Sequence, residues 1–177
     1  VGLFPGKTHY REPMGRAATP AIATLLAAGV PHEVLSYHHD ERNASFGDEA
    51  VAELVAAGVD VTAEQVFKTL VIALPKGLAV AVLPVPYKLS PKAAAAALGV
   101  PRAEMAERAT VERSTGYVLG GISPLGQRKA LPTVVDDSVY AWDRVLCSAG
   151  RRGLQVALAP ADLVRLTNAV TADILAT

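Results

Sequence analysis

Lys68 stands where a short segment with capping-box spacing, Thr62-Ala63-Glu64-Gln65, runs into a strongly apolar stretch. An ammonium at such a junction either snorkels its charge to the surface or points it into a cleft at the strand's mouth. A second candidate is Gly120-Gly121-Ile122-Ser123-Pro124-Leu125-Gly126, which holds three glycines and a proline in seven residues. That composition specifies a backbone shape, which is either a tight turn or a loop aiming consecutive N–H groups at an anion. The loop lacks the Gly two residues after Ser that a nucleophile elbow needs, and the Gly-Lys-Ser/Thr of a phosphate-binding loop. In the third, Ser148-Ala149-Gly150-Arg151-Arg152-Gly153, two guanidinium groups suit bidentate phosphate contact, though a hairpin loop with solvated charges reads the same way.

The run His38-His39-Asp40 is weaker. Adjacent histidines at a strand end point to opposite faces, and neither Cys-x-x-Cys nor His-x-x-x-His spacing supports a zinc site. Cys147 lies in an apolar run and reads as a small core residue. A Ser123–His39–Asp triad can be written on paper, as it can for most chains of this size, and carries little weight.

These groups need a frame. A length of 177 residues, with 51% hydrophobic and 19% charged, suits one domain with a sizeable core and excludes disorder as the default. The 17 Lys+Arg balance the 17 Asp+Glu, which argues against a protein that holds nucleic acid by bulk charge but leaves room for a local basic pocket. A single cysteine points to a reducing compartment, and the longest apolar stretch is too short to span a bilayer, so a cytoplasmic protein with no membrane partner is expected. Residues 1–16 read as a flexible leader or appended remnant, with Met14 as a candidate natural start, and 17–177 as one domain.

Thr19-Pro20 opens a helix that Gly29 closes, and 32–37 follows as a strand. A helix is expected from Asp48 to Gly58, then strands over 69–74 and 78–85 joined by Pro75-Lys76-Gly77 as a hairpin buried on both faces. Ser90-Pro91 starts an Ala-rich helix over 92–98, and 102–108 reads as another short helix. Further strands are expected over 115–119, 131–135, 144–148 and 154–158, with an amphipathic helix over 160–170 burying Leu163, Leu166 and Val170. The fold class is α/β in the α+β sense: a mixed, largely antiparallel sheet or partial barrel with flanking helices.

Several segments carry a family resemblance: Phe46-Gly47-Asp48-Glu49, Val66-Phe67-Lys68-Thr69-Leu70, the run from Ser114-Thr115-Gly116-Tyr117 through Gly126-Gln127, and Ser148-Ala149-Gly150-Arg151-Arg152-Gly153-Leu154. In this order and spacing the chain resembles the YbaK branch of the YbaK/prolyl-tRNA-synthetase editing-domain family over about residues 19–174. The resemblance implies an aminoacyl-tRNA deacylase that removes cysteine from mischarged Cys-tRNA(Pro). It implies Lys68 as the essential site residue, and Tyr37, Phe46, Gly47, Thr69, Gly120, Gly121, Ile122, Ser123, Pro124, Ser148 and Gly150 as substrate-binding positions. It also implies a substrate-assisted reaction in which the cysteinyl thiol attacks its own ester, with no cofactor or metal. The expected partners are aminoacyl-tRNA(Pro) and prolyl-tRNA synthetase in a ternary complex, with Arg128, Lys129, Arg151 and Arg152 as tRNA contacts. Two other readings stand beside it: a deacylase for alanyl, seryl or threonyl esters using activated water, and a non-catalytic adaptor for aminoacyl-tRNA or synthetase. The chain differs from the common family form in extra residues at Ala56-Ala57-Gly58-Val59-Asp60 and in Gln155, where an acidic residue is common.

Overall fold

The hairpin around Pro75-Lys76-Gly77 lies at the centre of the computed structural model, which describes residues 19–177. Strand β1 spans His32–Ser36, β2 Phe67–Ala73, β3 Leu78–Pro84, β4 Glu104–Met105, β5 Thr133–Asp136, β6 Val145–Ser148, β7 Leu154–Leu158 and β8 Val170–Ala172. The helices are α1 Pro20–Ala27, α2 Phe46–Ala56, α3 Pro91–Leu98, α4 Arg108–Thr115 and α5 Pro160–Thr167. The expected leader lies outside the described residues, and no helix among these is long and apolar enough to cross a membrane.

Two sheets form, ordered β4-β2-β3-β5-β8 and β1-β7-β6. The β3–β5 and β5–β8 pairs are parallel and the remaining strand pairs antiparallel, so the mixed, largely antiparallel expectation holds, as two sheets with no closed barrel among the described residues. The sheets join through Val66, which bridges Leu146 in parallel while its carbonyl accepts the Val85 N–H at 2.8 Å. β3 is buried on both faces because each has its own cover. One face packs Val80 and Val82 with Ile22 and Leu25 of α1 and Val156 of β7; the other packs Ala79, Ala81 and Leu83 with Ala94 of α3 and Val134 of β5. Leu35, Leu54 and Leu146 fill a third cluster beneath α2.

Local signals place the helices. The Thr19 hydroxyl accepts the Ile22 N–H at 3.1 Å and donates to the Ala149 carbonyl at 2.5 Å, so the cap of α1 also ties it to the loop after β6. Ser90 caps α3 through the Ala93 N–H at 3.1 Å. The segment after β3 is held by the far end of the chain: Leu89 bridges Leu175, Ser90 N–H donates to Ile174 O and Ala176 N–H to Lys88 O, both at 2.8 Å.

Four expectations are corrected. The stretch 115–119 is no strand, because Thr115 ends α4, Gly116 follows at φ 81°, and the Tyr117 hydroxyl turns inward to the Leu125 carbonyl at 2.6 Å. The helix over 102–108 is absent; Glu104 and Met105 pair with the open edge of β2 and satisfy its backbone instead. α5 stops at Thr167 because Asn168 is left-handed at φ 51°, which sends Val170 into β8, 46% exposed. α2 begins at Phe46, not Asp48, which brings Phe46 and Gly47 into its first turn.

Leu146 is fully buried where the two sheets meet. Leu146→Ala is expected to destabilise the fold by about 2–5 kcal/mol, read as a lower urea midpoint at unchanged slope.

Candidate functional site

Where the sheets part beside Val66, a pocket of about 190 Å³ opens. The first turn of α2 supplies Phe46 and Gly47, β2 supplies Lys68 and Thr69, the 119–122 loop supplies Leu119, Gly120 and Ile122, and the second sheet supplies Ser148 and Gln155. That volume is below the roughly 300–1,000 Å³ of sites for drug-sized ligands, so it suits a small group.

Lys68 follows Phe67, whose ring is buried and fixes the start of β2. Its Nζ donates to the Tyr87 carbonyl at 2.5 Å and the Val85 carbonyl at 3.3 Å. An ammonium has three N–H groups, so two protein acceptors leave one for a ligand. Burial pushes its pKa below the ordinary lysine value of 10.5, partly opposed by the Asp48 carboxylate.

Thr69 and Gln155 each carry a buried oxygen, Oγ1 and Oε1, with no hydrogen-bond partner among the described residues. Gln155 sits between Leu35 and Ser148 in the register of the smaller sheet. An unpaired buried polar atom costs about 1–3 kcal/mol, and in a pocket a ligand's polar group can recover that. Cys147, fully buried one residue before Ser148, has its thiol pushed up to about 12 by desolvation and offers no nucleophile.

The structure brings Phe46, Gly47, Lys68, Thr69, Gly120, Ile122 and Ser148 together, and places the other expected substrate positions outside the lining. Ser123 is fully buried, with its hydroxyl accepting the Leu125 N–H at 3.1 Å, and buried Pro124 continues that turn. The Gly121 N–H donates to the Val118 carbonyl at 2.9 Å, so it is not a free oxyanion donor. Gly150 packs against Tyr117 and Thr19. Tyr37 joins the cluster beneath α2, where burial raises its phenol pKa.

Of the expected tRNA contacts, Arg128, Lys129 and Arg151 are exposed, Arg128 donating to the Arg113 carbonyl at 3.3 Å. Arg152 turns inward: its Nε donates to the Leu119 carbonyl at 2.8 Å and its guanidinium lies 4.9 Å from the Phe46 ring centroid. Behind that ring, His39 Nδ1 lies 2.5 Å from Glu49 Oε1, both side chains buried. Sequence reasoning passed over Leu119, Val85 and this pair. Apolar wall residues look like core residues, and only the opening of α2 at Phe46 puts Glu49 one turn behind the ring.

Residues 48–166 match the family described as "Aminoacyl-tRNA editing domain". An Enterococcus faecalis protein provisionally named Cys-tRNA(Pro)/Cys-tRNA(Cys) deacylase EbsC is 38% identical over 128 residues, which are 72% of this chain and 78% of that one. A solved structure, provisionally described as a trans-editing enzyme for prolyl-tRNA synthetase, superposes with a TM-score of 0.76 at 24% identity, covering 89% of this chain and 96% of the other. The hypothetical protein APE2540 gives 0.75 at 25% identity, covering 89% and 99%.

The lowered pKa of Lys68 has a signed consequence. Between its folded value and 10.5 the unfolded chain holds the proton more tightly than the fold does, so stability rises with pH through that window. Urea midpoints from neutral pH to 10.5 should show the wild type gaining on Lys68→Met as pH rises; a constant gap would mean an unperturbed amine.

Proposed function

Because the chain belongs to the aminoacyl-tRNA editing-domain family, we propose that it hydrolyses the ester of a mischarged aminoacyl-tRNA, with Cys-tRNA(Pro) as the preferred substrate. One observation carries this reading: a half-buried ammonium with an N–H to spare stands in a small pocket whose lining, among the described residues, has no imidazole, carboxylate or thiol. Thr69 and Ser148 supply hydroxyls, but the lining among the described residues offers them no imidazole or carboxylate as a base. Such a site suits a substrate that brings its own nucleophile.

In that reaction the cysteinyl sulfur attacks the carbonyl carbon of its own ester, and the C–O bond to the terminal ribose breaks. The thiol proton ends on the departing ribose oxygen, and the small cyclic thioester is hydrolysed by water. The protein orients the thiol, and Lys68 stabilises the negative charge developing on the carbonyl oxygen.

Zero net charge supports delivery of the tRNA by prolyl-tRNA synthetase rather than capture from solution, with exposed Arg128, Lys129 and Arg151 meeting the acceptor end.

Single-turnover deacylation of Cys-, Ala- and Ser-tRNA(Pro) tests the reading. Rapid loss of the cysteinyl ester is expected, slowed about 10²–10³-fold in Lys68→Ala. Loss of the alanyl or seryl ester would require an activated water instead. Retained tRNA or synthetase binding without hydrolysis of any ester would make the protein an adaptor.

A further inference from the structure

Phe46 forms a wall of the pocket from the first turn of a helix, and three neighbours fix its ring. Gly120 faces it with a bare Cα at φ 85°, where a Cβ would fall 2.6–2.7 Å from the ring atoms. The His39 ring stands 5.9 Å away, tilted by 40°. His39 is itself anchored to Glu49 of α2, whose other oxygen accepts the Asp40 N–H at 3.0 Å. The third neighbour is Arg152, whose guanidinium lies within cation–π range of the ring while its Nε holds the Leu119 carbonyl. One side chain thus links two lining segments of the pocket, Phe46 of α2 and Leu119 of the loop that packs against it. Their loops also meet directly: a Cβ on Gly121 would come within 2.7 Å of Arg151 Cα.

We propose that Arg152 is a positioning residue that sets the width of the aminoacyl pocket by stapling the Phe46 ring to the Leu119 carbonyl, with the His39–Glu49 pair as the backstop behind the ring. The proposal rests on the deacylase reading and deepens it. An apolar pocket separates side chains that differ by one methylene only about 10–200-fold, so a small outward movement of one wall erases much of the selectivity. Arg152 therefore governs which amino acid enters, whereas a guanidinium bound to tRNA phosphate would affect every ester alike.

The test compares wild type, Arg152→Met and Arg152→Lys on Cys-tRNA(Pro) and on a tRNA charged with the bulkier leucine, together with ¹⁹F spectra of fluorophenylalanine-labelled protein, the Phe46 signal being assigned by its loss in Phe46→Leu. Arg152→Met is expected to narrow the cysteinyl-to-leucyl ratio of kcat/KM by about tenfold and to shift the Phe46 resonance. Arg152→Lys, which keeps a cation over the ring, should restore most of both. A KM raised equally for both esters, with a flatter salt dependence and an unmoved fluorine signal, would overturn the proposal and return Arg152 to phosphate contact. If the wild type hydrolyses neither ester, the deacylase reading fails by itself. The fluorine signal then decides the staple: a shift in Arg152→Met reversed in Arg152→Lys supports it, and an unmoved signal overturns it.

Discussion

The backbone of Val66 is committed in two directions, to Leu146 of the smaller sheet and to Val85 beyond the end of β3. Two sheets that share such a point cannot lie flat on one another, because each strand has a fixed twist and a fixed set of partners. They diverge from it, and the wedge between them becomes the pocket. The strand residues that line the wedge are placed by that divergence: Phe67 is driven into the core, Lys68 is left half-buried at the mouth, and Ser148 and Gln155 face it from the other sheet. The double burial of β3 keeps the geometry firm, since neither face of the strand can shift without opening a cavity in one of two clusters.

The site holds its polar groups at a cost. Lys68 carries its charge where water is scarce, and Thr69 and Gln155 keep oxygens without partners. A fold selected only for stability would pair these groups or replace them with apolar ones. Their retention at one pocket, while the rest of the larger sheet's core is filled by aliphatic side chains, supports the proposed site. The amide of Gln155 also leaves this pocket less negative than one with a carboxylate there.

Much of this was legible in the sequence where a local signal decides local structure. Thr19-Pro20 and Ser90-Pro91 announce helix starts, and Pro75-Lys76-Gly77 between two apolar runs announces the central hairpin. The misreadings fall where a distant partner outvotes a local preference. Glu104 and Met105 lie in a helix-favouring stretch but complete an open strand edge, and Thr115 to Leu119 has strand-like composition but closes a helix and turns Tyr117 inward. At the site, residue type and spacing single out Lys68 and the Gly120 loop, the family resemblance adds Phe46, and the three do come together. Arg152 was read as a solvated charge or a phosphate ligand because nothing in an Arg-Arg pair says which one folds back; that depends on a carbonyl 33 positions away.

The two carbonyls that hold Lys68 belong to Val85 and Tyr87, and the segment that carries them runs into residues clasped by 174–176 through Leu89–Leu175, Ser90–Ile174 and Lys88–Ala176. This gives the protein an order of assembly. On a ribosome the hairpin can form early, yet the segment beside the amine stays unclasped until Ile174 has cleared the exit tunnel. The lysine's seat is therefore completed only after residues 174–176 have been made, and a nascent chain that stops short of them, however well folded its central hairpin, does not yet possess a finished pocket.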